Sequence, residues 1–169
     1  LEGGEGAVLF ATGMAAITTT ILTLLKAGDH AVVVRDVYRR TREFSQDLLP
    51  RFGVETTLVP VDRPDAMAQA VRPNTRLIFS ETPTNPYLRI ADLAQMVALV
   101  KDRDIITIVD STFATPLNMH PLDLGIDLVV HSATKYLGGH NDLLAGVVIG
   151  NHALVTEIEY TRGILGGVG

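Results

Sequence analysis

The chain of 169 residues contains no cysteine, which excludes disulfides, thiolate nucleophiles and zinc–thiolate sites from this sequence. It has no apolar run near the roughly 20 residues that a membrane span needs, and no secretory signal pattern is visible. Fourteen Lys and Arg against 19 Asp and Glu give a formal net charge of −5, which argues against nucleic-acid and anionic-membrane partners. A reducing cytoplasm is the simplest expected location.

Several familiar catalytic patterns are absent as well. The glycines of residues 3–6 lack the spacing of a dinucleotide fingerprint, and no phosphate-binding GxxxxGK[ST] motif occurs. There is no GxSxG nucleophile elbow. The five histidines show no HExxH spacing; His120 and His140 could bind a metal, but histidines in loops usually do not, and we expect no metal site.

The sequence instead alternates strand-like and helix-like segments. Short apolar runs predict strands at residues 31–35, 54–59, 76–80, 105–109, 127–131 and 145–149, and helices are predicted at 13–26, 39–49, 65–71, 90–102 and 152–163. Thr12 is expected to cap the first helix, and Gly28 to close it. Because the strands are continuously apolar, both of their faces should be covered. The pattern predicts an α/β fold with a three-layer, mostly parallel sheet and helices on both faces.

Polar residues follow three of the predicted strands. Asp110 comes directly after one, Glu81 and Asn85 follow a second, and Ser132, Thr134 and Lys135 follow a third. In a parallel sheet these strand ends meet at one edge, where ligands bind. A pyridoxal phosphate site needs a lysine for the imine, an acid that keeps the pyridine nitrogen protonated, and groups that bind the phosphate. Asp110 and Lys135 match the first two requirements.

The third requirement is met by the predicted start of the first helix. Gly13 and Met14 follow Thr12 there, and unpaired amides with the helix dipole favour a dianion. Tyr38 follows a strand and could lie flat on the pyridine ring. Each of these features alone is better explained as an ordinary capped helix or a core aromatic residue. The complete ordered set favours a cofactor site.

Five segments together carry a resemblance to a known family. They are YRRTREF (38–44), ETPTNPYLRIAD (81–92), DSTFATPLN (110–118), HSATKYLGGHNDLLAGV (131–147) and ILGG (164–167). The chain resembles the Cys/Met-metabolism family of pyridoxal-phosphate enzymes, the trans-sulfuration group of fold type I, over essentially its whole length. Within that family the segments are most similar to the plant-type cystathionine γ-synthase branch. The resemblance implies that residues 1–169 are the cofactor-binding large domain of a longer enzyme, without its N-terminal segment and small C-terminal domain.

The resemblance also implies roles for individual residues. Lys135 would hold the cofactor covalently and move protons, Asp110 would pair with the pyridine nitrogen, and Tyr38 would stack on the ring and accept a proton. The phosphate would be bound by Gly13, Met14, Ser132 and Thr134. Asn85 would bind the ring hydroxyl, and Glu81 with Thr112 would support the ring.

The implied reaction is replacement of the γ-substituent of an activated homoserine by cysteine, which gives cystathionine. Arg40 follows Tyr38 closely, and we hypothesise that it meets the anionic leaving group, although a solvated arginine is an equal alternative. The substrates would be small amino acids, and the enzyme a homo-oligomer, a dimer of dimers. Cystathionine γ-lyase, methionine γ-lyase and homoserine sulfhydrylase activities remain open. So does a non-catalytic domain fragment that binds the cofactor weakly.

Overall fold

Within residues 1–168, which the computed structural model describes, seven strands form one sheet. The strands are β1 (Gly6–Phe10), β2 (His30–Val34), β3 (Glu55–Val59), β4 (Thr75–Glu81), β5 (Ile106–Asp110), β6 (Leu128–His131) and β7 (Gly146–Gly150). The helices are α1 (Gly13–Leu24), α2 (Arg39–Glu43), α3 (Pro64–Ala70), α4 (Leu93–Val100), α5 (Thr115–Asn118) and α6 (His152–Leu165). This is the α/β architecture that the alternating pattern predicts.

The strand order across the sheet is β1-β7-β6-β5-β4-β2-β3. The strands β3, β2, β4, β5 and β6 run parallel to one another. Strand β7 is antiparallel to both β6 and β1. The sheet is therefore mostly parallel, as predicted, and the carboxyl ends of β2, β4, β5 and β6 lie at one edge.

The central strands are buried on both faces. Every residue of β2 and β6 is buried, as are nearly all residues of β4 and β5. Because successive side chains of a strand point to opposite faces, helices must cover both. The prediction fails for the strand at 54–59, because Glu55 of β3 is exposed and the next three residues are only half-buried. Strand β1, which was not among the predicted strands, alternates between exposed and buried positions and leaves Leu9 63% exposed. Strand β1 lies at an edge of the sheet described here, where only one of its faces packs against the core.

The start of α1 is as predicted, but its end is not. The Thr12 hydroxyl accepts a hydrogen bond from the Ala15 amide at 3.0 Å. The helix ends at Leu24, with Leu25 as its cap, so the prediction that Gly28 closes it is wrong. Gly28 instead lies in the turn before β2 with a φ of +91°, a conformation that glycine adopts without a steric penalty.

Other boundaries also differ from the predicted ones. The helix predicted over 39–49 is divided into α2, a π-helical turn at Phe44–Leu48 and a 3₁₀ turn at Leu49–Phe52. Helix α4 begins at Leu93 and not at residue 90, because Asp92 caps it through the Gln95 amide at 2.9 Å. The large domain predicted over 1–169 ends at Gly169, which lies outside the described residues.

Among residues 1–168, no helix is both long enough and apolar enough to cross a membrane.

Candidate functional site

Three adjacent strand ends place the predicted polar residues at one edge of the sheet. Glu81 at the end of β4 is the direct Cα partner of Asp110 at the end of β5. Asp110 in turn pairs with Val130, which precedes the last residue of β6. The loop with Ser132, Thr134 and Lys135 follows directly. The predicted convergence of these three strand ends is therefore correct.

Glu81 and Asp110 form a buried pair of carboxyl groups, each only 5% exposed. The Tyr38 amide donates to Glu81 Oε2 at 2.5 Å. Asp110 Oδ1 accepts from both the amide of Thr112 at 3.0 Å and its hydroxyl at 2.5 Å. The Thr112 hydroxyl accepts from the Ser132 amide at 2.9 Å, which joins the ends of β5 and β6.

The protonation of this pair follows from its surroundings. Burial, and after it the charge of Asp110, raises the pKa of Glu81 to about 8, while the Tyr38 amide opposes the rise. Burial also raises the pKa of Asp110, but the hydrogen bonds from Thr112 and the charge of His131 oppose it. Two adjacent carboxyl groups in a dry site do not both ionise readily. Asp110 has the stronger hydrogen-bond support, so of the two acids it holds a negative charge more readily, and Glu81 holds the proton more readily.

The first turn of α1 lies against the loop after β6. A Cβ atom placed on Gly13 would be 2.8 Å from the Cβ of Ser132, so only glycine allows this approach. Met14 is the next residue of the helix, and its sulfur lies 3.7 Å from the Thr41 hydroxyl. The free amides of this turn and the Ser132 side chain thus lie next to each other, an arrangement that suits a phosphate group.

The loop after β6 is tightly hydrogen bonded although Lys135 itself is exposed. The Lys135 amide donates to the Ser132 carbonyl at 3.0 Å. The Thr134 hydroxyl donates to the Ala145 carbonyl at 3.1 Å and accepts from the Ala145 amide at 2.9 Å. These bonds fix the backbone of the loop and leave the lysine side chain at its surface.

Tyr38, Asn85 and Arg40 lie in the loops and helix start around this edge. Tyr38 precedes α2 and is 44% exposed. The amide of the half-buried Asn85 donates to the Asp36 carbonyl at 3.2 Å, which ties the loop after β4 to the loop after β2. The Arg40 side chain is 57% exposed and forms an ion pair with Glu43 at 2.8 Å.

The sequence reasoning missed one buried pair near this edge. The His131 Nε2 atom lies 2.5 Å from Glu2 Oε1, and both side chains are buried. The two residues are 129 positions apart, and no motif or periodicity relates positions so distant. Only the strand order, which places β1 and β6 on either side of β7, brings them together.

The arrangement suits a cofactor with a nitrogen ring, a phosphate and an electrophilic carbon. Asp110 is a buried, hydrogen-bonded acid that can pair with a protonated ring nitrogen, and the Gly13 turn beside Ser132 is an anion-binding surface. Lys135 is a primary amine on the same edge. The residues present therefore define the class: a cofactor-binding α/β core whose chemical groups fit pyridoxal phosphate.

Comparison with known proteins gives the family. The model of the Cys/Met metabolism PLP-dependent enzyme family matches residues 1–169. The chain belongs to this family, and the family implies pyridoxal 5'-phosphate as the cofactor.

Relatives with different reactions are similar to the chain to almost the same degree. Cystathionine gamma-synthase 1, chloroplastic, of Arabidopsis thaliana is 45% identical over 99% of the chain and 30% of that protein. Cystathionine beta-lyase MetC of Staphylococcus haemolyticus is 45% identical over 95% of the chain and 41% of that protein. The crystal structure of cystathionine gamma-lyase from Lactobacillus plantarum complexed with L-serine has a TM-score of 0.93 and 40% identity, over 99% of this chain and 44% of that one. The chain thus spans less than half the length of these relatives, and their similarity does not distinguish among the three reactions.

Proposed function

We propose that this chain supplies the cofactor-binding core of a trans-sulfuration enzyme that replaces the γ-substituent of an activated homoserine, O-phospho- or O-succinylhomoserine, with cysteine to give cystathionine. The observation that carries the proposal is the alignment of Asp110 with the Lys135 loop at adjacent strand ends. The choice of reaction rests on the five segments that resemble the plant-type branch, because overall identity to the relatives does not distinguish among the reactions. Lyase and sulfhydrylase activities of the same family are the alternatives that the assay must separate.

Each residue at the edge of the sheet has a proposed task. Asp110 pairs with the ring nitrogen, Tyr38 covers the ring, and Lys135 binds the cofactor carbon and transfers protons. The phosphate is held by Gly13, Met14, Ser132 and Thr134, the ring hydroxyl by Asn85, and the ring edge is supported by Glu81 and Thr112. When bound, the cofactor acts as an electron sink for carbanions at the substrate carbons.

The charge distribution of the edge suits this chemistry. The hydrogen bonds from Thr112 hold the Asp110 carboxylate in one orientation, so its charge is fixed before the cofactor binds. Glu81 is neutral beside it and adds no second anion that would compete for the same proton. The ε-amine of Lys135 is exposed at the loop surface, where it can accept and return protons within reach of a bound substrate.

We also propose that the intact protein is a homo-oligomer, a dimer of dimers that acts on small amino acids. The loop after β4 supports association between subunits, because it exposes three large apolar side chains. These are Tyr87, Leu88 and Ile90, each more than 60% exposed. Sedimentation of the intact protein measures its oligomeric state.

The test is product analysis with the intact protein. O-phospho-, O-succinyl- and O-acetylhomoserine are each supplied with cysteine or with sulfide, and cystathionine and methionine are supplied alone. We expect cystathionine from an activated homoserine with cysteine as the dominant product. Release of pyruvate or 2-oxobutyrate from cystathionine as the fastest reaction would replace the synthase proposal with a lyase.

The same assay tests Arg40 as the partner of the anionic leaving group. Arg40→Ala removes one charged hydrogen bond of about 1.5–3 kcal/mol, so the KM for the preferred activated homoserine should rise about ten-fold or more. Arg39→Ala is the matched control, because Arg39 also pairs with Glu43, at 3.6 Å, and is similarly exposed. An unchanged KM in the Arg40 variant, or an equal rise in both variants, contradicts the assignment.

A further inference from the structure

A buried carboxylate–imidazole pair lies behind the strand end that carries Asp110. The side chains of Glu2 and His131 are 4% and 1% exposed, and Oε1 of the first is 2.5 Å from Nε2 of the second. Within residues 1–168, the other Glu2 oxygen has no hydrogen-bond partner. Burying two ionisable groups costs on the order of several kcal/mol each before their attraction offsets it. Such a pair is weak as a source of stability, so its position in the fold is the informative property.

A short series of contacts joins this pair to Asp110. His131 ends β6 and is followed by Ser132, whose amide donates to the Thr112 hydroxyl at 2.9 Å. That hydroxyl donates to Asp110 Oδ1 at 2.5 Å. A displacement of His131 would therefore be transmitted through two hydrogen bonds to the carboxylate that faces the cofactor site.

The charges act in the same direction as the contacts. Glu2 and His131 line one cavity with aliphatic residues such as Ala7 and Val147, and charges in apolar surroundings are weakly screened. Burial is the largest influence on the pKa of Asp110 and raises it, whereas the charge of His131 lowers it. Burial and the charge of Asp110 raise the pKa of Glu81, so Glu81 adds little negative charge beside Asp110.

We propose that Glu2 and His131 form a positioning unit for the cofactor-binding acid: Glu2 holds the imidazole in place through the Oε1–Nε2 contact, and His131, through Ser132 and Thr112, keeps the Asp110 carboxyl group oriented toward a ring nitrogen. Neither residue touches the cofactor in this proposal. It rests on the proposed function, which assigns Asp110 to the ring nitrogen.

The experiment compares two cofactors on the intact apoprotein. Dissociation constants are measured for pyridoxal 5'-phosphate and for its 1-deaza analogue, which has carbon in place of the ring nitrogen. Glu2→Gln and His131→Gln keep a hydrogen-bonding side chain of similar reach but replace each ionisable group with a neutral amide. Each variant should weaken the binding of pyridoxal 5'-phosphate about ten-fold, which corresponds to about 1.4 kcal/mol. The dissociation constant of the analogue should stay nearly unchanged. The double variant should lose no more affinity for pyridoxal 5'-phosphate than either single variant, because the effects of substitutions within one unit are not additive.

The control is His30→Gln. His30 is also fully buried and lies between the hydroxyls of Thr57 and Thr75, at the opposite end of the parallel strands. Its substitution should change the free energy of unfolding but should affect the dissociation constants of the two cofactors equally. Equal weakening of both cofactors by Glu2→Gln would show a merely structural pair and overturn the proposal.

Asp110→Asn separates this inference from the proposal on which it rests. Suppose that Asp110→Asn weakens the binding of pyridoxal 5'-phosphate more than that of the analogue, whereas the Glu2 and His131 variants weaken both equally. The proposed positioning unit is then wrong, while the role of Asp110 stands. If Asp110→Asn fails to discriminate, the assignment of Asp110 itself is wrong.

Discussion

At the residue scale, two carboxyl groups at the ends of β4 and β5 behave differently because their hydrogen-bond partners differ. Asp110 receives two hydrogen bonds from Thr112, and Glu81 receives one from the Tyr38 amide. This difference allows one acid to hold a negative charge and the other a proton in the same dry region. The sheet register makes the two acids direct neighbours, so the charge on one controls the other.

The raised pKa of Glu81 predicts a pH-dependent stability of the apoprotein. The folded protein keeps the Glu81 proton up to a pKa of about 8, whereas the ordinary value is 4.5. Between these values the folded state binds more protons than the unfolded state, so the free energy of unfolding falls as the pH rises. The expected fall in the free energy of unfolding is on the order of a few kcal/mol. The Glu81→Gln variant should show a smaller fall, because glutamine is neutral over the whole pH range.

Urea unfolding of the apoprotein at a series of pH values between 5 and about 8.5 measures this effect. Glu157→Gln, at an exposed position of α6, should leave the wild-type profile unchanged. A Glu81 variant whose stability still falls with pH as steeply as the wild type would show that Glu81 ionises normally.

The sequence identified both acids because each directly follows an apolar run. It gave no sign of their protonation, which depends on neighbours from other parts of the chain. The amide that bonds Glu81 belongs to Tyr38, 43 positions away. The Glu2–His131 pair lay beyond prediction for the same reason, since its contact forms only after the strands are ordered.

At the scale of elements, the first turn of α1 and the loop after β6 form the anion-binding part of the edge. The helix start was predictable, because a threonine followed by glycine and a helix-forming run is a local capping pattern. The division of residues 39–52 among three helical types was not predictable. It reflects packing of the buried Phe44 and Leu49 against the core more than local propensity.

Gly13→Ala tests the contact between these two elements. The added Cβ would lie 2.8 Å from the Ser132 Cβ and 3.0 Å from its Cα, and overpacking of this kind costs about 1–3 kcal/mol. Because the clash pushes Ser132 away from the helix start, affinity for pyridoxal 5'-phosphate should fall together with stability. Titration of the apoprotein and urea unfolding measure the two effects.

Gly163→Ala is the matched control for that substitution. Gly163 lies within α6, and nothing is within 4 Å of a Cβ added there. Alanine in a helix interior is favoured over glycine by about 0.5–1 kcal/mol, so this variant should be slightly more stable with unchanged cofactor affinity. If Gly13→Ala binds the cofactor as tightly as the wild type, the phosphate does not lie at this turn.

At the scale of the whole molecule, the strand order explains why residues spread over the sequence meet. Strands β4, β5 and β6 are adjacent and parallel, so three separate segments deliver side chains to the same edge. The alternating pattern was sufficient to predict this convergence. It did not predict the pairing of β1 with the antiparallel β7, because a lone five-residue strand carries no information about its partner.

The central claim is that Lys135 holds the cofactor. The sequence contains three lysines, Lys26, Lys101 and Lys135. The intact protein is loaded with pyridoxal 5'-phosphate, reduced with borohydride and digested, and the modified peptide is identified by mass spectrometry. We predict a pyridoxyl phosphate adduct on Lys135, which is lost with the visible absorbance in Lys135→Ala and is retained in Lys26→Ala and Lys101→Ala. An adduct confined to another lysine, or full cofactor absorbance in Lys135→Ala, would contradict the account.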